Sequence, residues 1–92
     1  MVIWNEHRKK YLNRRLPEID ELKKSIVGDK LDVIFNIGHK LKGNGATFGY
    51  PEISDIGRLL EEAANLKDKV QLEQVVQKLE EIVVENLKSM TE

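Results

Sequence analysis

Residues 71–90, QLEQVVQKLEEIVVENLKSM, place Leu72, Val75, Val76, Leu79, Ile82, Val83, Leu87 and Met90 at steps of three and four, with polar side chains between them. That spacing draws one apolar stripe along a helix, because side chains at those intervals lie over one another on the same face. Asp68 stands where a side-chain oxygen would cap the start, and Gln71, three residues on, completes a capping-box pattern. A helix with a single apolar stripe has to bury it against other elements, so the rest of the chain must supply them.

Upstream, PEISDIGRLLEEAANL (residues 51–66) repeats the period with Ile53, Ile56, Leu59, Leu60 and Ala63. Pro51 suits a first helical position, where no amide hydrogen is needed; the spacing predicts a helix over 51–65. Gly28 followed by Asp29 reads as a helix end and then a new N-cap. The segment after Asp29 runs helically through Leu31, Ile34, Phe35, Gly38, Leu41, Gly45 and Phe48. The first segment, 4–27, carries Tyr11, Leu12, Leu16, Ile19, Leu22 and Ile26 at helical spacing, with Pro17 inside it and Trp4 as a terminal anchor. A proline there removes a hydrogen bond and clashes with the preceding turn, so a kink or two shorter helices are expected. No stretch alternates with period two for long enough to be a strand. The expected fold is all-α, an antiparallel up-and-down four-helix bundle forming a single domain over 1–92.

Bulk properties agree with that fold and exclude several functions. Ninety-two residues support one modest core. Apolar residues at 40% and charged residues at 34% fit a folded helical domain rather than a disordered chain. A formal net charge of -1 gives no general case for nucleic acid. The charge is uneven, however: Arg8, Lys9, Lys10, Arg14 and Arg15 face only Glu6 in the first fifteen residues. That segment is either a solvated helix face or a docking patch for an acidic partner. The absence of cysteine excludes disulfides, thiolate metal sites and cysteine nucleophiles. No apolar run approaches the roughly twenty residues of a membrane span, nor does the start look like a signal peptide. A cytoplasmic protein without membrane contact is expected.

Against this helical background, NIGHKLKGNGATFGYPE (residues 36–52) spends much helix propensity on Gly38, Gly43, Gly45 and Gly49. At about 100° per residue the stripe of this helix centres on Ile34, Gly38, Leu41 and Gly45, which puts His39 at the boundary between core and water. A mid-helix glycine costs about 1 kcal/mol relative to alanine. Gly43, at i+4 from His39, removes the side chain that would shade the ring. Lys42, at i+3, can set an ammonium beside anything attached to the imidazole. An accessible imidazole, an adjacent cation and a cleared approach are what a phosphoryl acceptor needs. The competing reading is an ordinary boundary histidine, with the glycines there for helix packing or helix ends. No Gly-Lys-Ser or Gly-Lys-Thr follows, so the run is not an ATP-binding P-loop. His7 has no second ligand at metal spacing and reads as a surface residue, and Lys40 points away from His39.

The segment HKLKGNGATFG resembles the signature of histidine-containing phosphotransfer (HPt) domains, a histidine followed by x-x-Lys-Gly and, six residues later, Gly: here His39, Lys42, Gly43 and Gly49. The likeness extends through YLNRRLPEIDELKKSIVGDKLDVIFNIGHKLKG, with its Leu-Pro and the Asp before the histidine helix, and through ISDIGRLLEEAA, from about Tyr11 to Val84. Locally it is similar to the phosphoacceptor domain of chemotaxis-type histidine kinases. The resemblance implies a phosphorelay carrier holding a phosphoryl group on His39 between receiver aspartates, or receiving it from a histidine kinase. Lys42 would stabilise the phosphoryl oxygens. The carrier would have no cofactor of its own, the receiver supplying Mg²⁺, and would be monomeric, and it would not be an ATP-dependent kinase by itself. The matching carboxylate on the next helix is Glu61, which either orients the imidazole or is a solvated helix-face glutamate. Phe35 and Ala46 are the expected apolar contacts for the receiver. Two departures stand out: Gly38 replaces the family's usual alanine, and Arg58 stands where the chemotaxis domain commonly has a second histidine. The alternative reading is a bundle that binds a receiver or another signalling protein as scaffold or inhibitor without carrying phosphate.

Overall fold

The computed structural model describes the backbone from Val2 to Thr91 and the side chains from Asn5 to Met90; the expectation for Trp4 falls outside those side chains. Four α-helices follow one another: α1 Val2–Val27, α2 Leu31–Asn44, α3 Pro51–Leu66 and α4 Lys69–Thr91, with a 3-10 turn, Ala46–Phe48, between α2 and α3. Packing runs around the ring α1, α2, α3, α4 and back to α1. Neighbours are antiparallel. Lys23 of α1 meets Glu80 of α4 at 3.0 Å while Asn5 and Lys9 lie beside Met90 at the far end. Gly45 of α2 lies beside Ser54 of α3, and Gly38 beside Leu60. At 1.5 Å per residue α1 should be about 39 Å long, and the bundle's long dimension is 41 Å.

The stripes read from the sequence form the core. Leu12, Ile19 and Leu22 of α1, Ile34 and Leu41 of α2, Ile53 and Leu60 of α3, and Leu72, Leu79 and Val83 of α4 are all fully buried. Each such side chain contributes about 1.5–3 kcal/mol on leaving water. Leu16, at a helical interval in α1, is 37% exposed instead. Among the described residues no helix is long and apolar enough to cross a membrane.

Pro17 does not divide α1, which runs unbroken from Val2 to Val27. Pro17 and Asn13 are both exposed, so the Asn13 carbonyl that loses its donor lies on the water side and the helix can continue through the proline. The α1–α2 turn also differs from expectation. Asp29, not Gly28, takes the left-handed conformation, at φ 59°. Lys30 N–H donates to Ser25 O at 2.8 Å and Asp29 N–H to Ile26 O at 3.4 Å, the bond pair that closes a helix around a left-handed residue. Asp29 therefore ends α1 and does not cap α2, whose N-cap is Lys30 without a side-chain hydrogen bond. Its carboxylate pairs with Lys69 at 2.5 Å and ties the turn to α4.

The histidine helix stops at Asn44 and does not run on to Phe48. Ser54 of α3 accepts the Ala46 N–H on its hydroxyl at 2.8 Å, which takes the amide that the next helical bond would have used. Gly49 N–H then bonds Ala46 O at 3.0 Å, and Gly49 at φ 90° turns the chain into Pro51 as expected. At α4, Asp68 Oδ1 accepts from Gln71 N–H at 3.1 Å, as the cap reading required. The reciprocal half of the capping box is unused, because the Asp68 N–H donates to Ala63 O at 3.0 Å and closes α3 around left-handed Lys67.

Candidate functional site

What brings α2 and α3 together is the absence of side chains. A Cβ at Gly38 would sit 2.8 Å from Gly57 O and 2.9 Å from Leu60 Cβ, and one at Gly57 would sit 2.5 Å from Gly38 O and run into the Lys42 amide nitrogen. One turn further, a Cβ at Gly45 would meet Ser54 N at 2.5 Å. Carbon atoms pack best at about 3.5–4.0 Å, so the two backbones approach to a distance that only glycine permits. The packing expected of Gly38 and Gly45 is present. Gly57 is the third member of the crossing, and the sequence reading passed over it; its signal was a lone glycine inside an apolar-periodic helix.

This crossing sets the register of the site. Gly38 precedes His39 and lies one turn before Lys42, while Gly57 lies one turn before Glu61. A glutamate side chain from α3 is therefore long enough to reach α2. Glu61 Oε2 stands 2.8 Å from His39 Nδ1, and Glu61 Oε1 stands 2.7 Å from Lys42 Nζ. The Glu61 side chain is 10% exposed and the His39 side chain 68% exposed, so the carboxylate is covered while the imidazole reaches into water.

The hydrogen bond from Lys42, followed by that from His39, lowers the Glu61 carboxyl below the usual glutamate value. An ionised carboxylate only accepts, so the proton of the neutral ring sits on Nδ1 and the lone pair on Nε2. Nε2 thus carries the free lone pair on an exposed ring. Beyond it, a Cβ added to Gly43 would meet nothing within 4 Å, so the position beside the ring is open. Glu61 is therefore in hydrogen-bond contact with the ring and largely covered, not a solvated helix-face carboxylate. Lys42 occupies a place the sequence did not suggest, since its ammonium is held by Glu61.

The other candidates lie around this trio. Phe35 is half-buried one turn below His39, and Ala46 is exposed on the 3-10 turn past the helix end. Lys40 is exposed and its charge reaches Glu18 on α1. Arg58 pairs with Glu62 at 3.2 Å within α3 and does not join the site. Among the described residues no three of His, Asp and Glu gather as a metal-ligand group.

The family model of the Hpt domain matches residues 10–90. No curated protein and no solved structure matches the chain significantly. Hpt domains serve histidine phosphotransfer in two-component signalling. With four antiparallel helices and an exposed histidine braced from the neighbouring helix, and with the match running from the middle of α1 to the end of α4, this chain belongs to the Hpt domain family.

Proposed function

We propose that this protein carries a phosphoryl group on Nε2 of His39, exchanging it with the aspartate of a response-regulator receiver or taking it from a histidine kinase. The observation that carries the reading is the 2.8 Å contact of Nδ1 with Glu61 on a ring that is 68% exposed. In the forward step the Nε2 lone pair attacks phosphorus of the receiver's aspartyl phosphate. The N–P bond forms, the bond from phosphorus to the aspartyl oxygen breaks, and the aspartate leaves as carboxylate. The ring gains positive character, which Glu61 offsets through the proton that stays on Nδ1. The reverse step uses the same contacts, so transfer is reversible.

Lys42 enters as the second cation. It rests on Glu61 in the unloaded protein and turns to the phosphoryl oxygens once they arrive, a short swing for a lysine at i+3. Gly43 leaves room for the receiver, whose own Mg²⁺ holds the phosphoryl group, and Phe35 and Ala46 present apolar contact on either side of His39. The bundle acts as a cytoplasmic monomer and needs no cofactor of its own. Incubation with a phosphorylated receiver and Mg²⁺ gives a phosphoprotein labile in acid and stable in base. Lys42→Ala slows its formation about a hundredfold, in the range for loss of one charge-stabilising group. If His39→Gln takes up label as well as the natural protein, the assignment is wrong; binding without transfer would move the reading to a scaffold or inhibitor.

A further inference from the structure

The basic stretch at the start of the chain is not used by the site around His39, and the fold gives it a definite shape. Lys10, Arg14 and Arg15 line a cleft of about 390 Å³ between α1 and the end of α2, together with His7. Its floor is aromatic: Tyr11 and Phe48 stack with ring centroids 4.5 Å apart. Asn44 closes it from α2, accepting the Tyr11 O–H on Oδ1 at 2.5 Å and keeping its amide nitrogen as a donor. Among the described residues no carboxylate lines the cleft.

Arg15 is the unusual member. It is 7% exposed, its guanidinium lies over the Tyr11 ring at 4.3 Å, and its Nε faces Glu18 at 3.1 Å. Its Nη1 is buried and has no hydrogen-bond acceptor among the described residues. A largely buried guanidinium lining a cleft, flanked by the two exposed cations Lys10 and Arg14, concentrates positive charge that an anion in the cleft would offset.

We propose that this cleft docks an acidic segment of a partner protein, carboxylates meeting Arg14 and Lys10 beside the positive charge of Arg15 while an apolar side chain next to them rests on Phe48 and Tyr11. The aromatic floor favours a peptide over a bare anion, which would leave that surface uncovered. Nucleic acid fits less well, because the cations are confined to one cleft of a chain whose net charge is -1. Asn44 lies five residues beyond His39, about 140° around the helix. A partner in the cleft therefore leaves the imidazole free, and the docking surface works whether or not a receiver is engaged.

The test titrates the isotope-labelled full chain with a short peptide of Asp and Glu residues around a central Leu, following backbone and side-chain resonances. The expected result is saturable binding that weakens with salt, with shifts centred on Lys10, Arg14, Asn44 and Phe48. The exposed-site variant Lys10→Glu/Arg14→Glu should weaken that binding tenfold or more while its phosphorylation by a receiver is unchanged, a readout that keeps this proposal separate from the role of His39. Binding that survives the double reversal, shifts confined to the His39 face, or no saturable binding overturns it. Inorganic phosphate at equal affinity shows an adventitious anion site, and tighter binding of a single-stranded oligonucleotide shows a nucleic-acid surface; either result also overturns it.

Discussion

Gly43 lies in the last turn of α2 and Gly57 in the interior of α3, and the structure predicts opposite outcomes when each becomes alanine. At Gly43 nothing lies within 4 Å of the added methyl. The change recovers up to about 0.5–1 kcal/mol of helix propensity, which in a domain of this size raises the melting temperature by up to about 8 °C. At Gly57 the methyl would lie 2.5 Å from Gly38 O and 2.9 Å from the Leu41 carbonyl carbon. Those atoms are backbone and cannot rotate aside, so α3 has to retreat by roughly 1 Å to reach ordinary contact. Because the methyl meets three backbone atoms under 3 Å at once, the cost lies in the upper part of the overpacking range, about 2–3 kcal/mol, and propensity returns about 1, leaving Gly57→Ala about 1–2 kcal/mol less stable. Thermal unfolding should then fall by about 5–15 °C. The same retreat stretches the 2.8 Å contact from His39 to Glu61 beyond hydrogen-bond range, so Gly57→Ala should also slow phosphoryl uptake. Gly43→Ala tests the other half: more stable, yet slower with a receiver, because the methyl fills the space beside the ring. A Gly57→Ala protein as stable as the natural one would refute the claim that a glycine crossing holds α2 and α3.

Three further outcomes follow from particular contacts. Lys42 and then His39 lower the Glu61 carboxyl, so its folded value lies below the ordinary 4.5 and its ionised form stabilises the fold above that pH. That stability is lost as pH falls through the lowered value. Urea unfolding should therefore show Glu61→Gln weaker near neutrality and the gap closing in acid; Glu18, which burial pushes the other way, is present in both proteins and cancels, and a gap that stays constant with pH contradicts the reading. Pro17→Ala should stabilise α1 by up to about 3 kcal/mol, since an alanine restores the missing bond in an unbroken helix; no gain on calorimetry would mean that the proline is accommodated without strain. Asp68→Ala removes the acceptor of the Gln71 N–H and should cost about 0.5–2 kcal/mol, read as a lower urea midpoint.

The stripes were legible because a core-facing helix repeats every three or four residues whatever it packs against. Leu72, Leu79 and Val83 could be placed inside from that period alone. The turns were less legible, because their geometry depends on groups remote in sequence. Ser54 reaches back to the Ala46 amide, and Lys69 draws the Asp29 carboxylate away from α2. Neither pairing leaves a periodic trace. Leu16 shows the limit within the period itself: a leucine at the right interval is 37% exposed while Leu12 and Ile19 on either side of it are buried.

The site divides along the same line. His39, Lys42 and Gly43 lie within one turn of a single helix, so local spacing was enough to group them. Glu61 came only from the resemblance, since α2 and α3 meet through tertiary packing, and the part played by Gly57 is visible only in the packed helices. The Lys42–Glu61 contact changes the physical description most. With both oxygens of Glu61 engaged, one by the ring and one by the ammonium, the carboxylate holds two groups that a phosphoryl dianion would compete for differently. In the proposed transfer the ring keeps its bond to Glu61 when Nε2 is loaded, because Nδ1 is not consumed. The ammonium has a free choice between a carboxylate with one charge and a phosphoryl group with about two. On the proposed function, a lysine stored on a glutamate is kept folded against the bundle until the arriving phosphoryl group supplies the charge that draws it out.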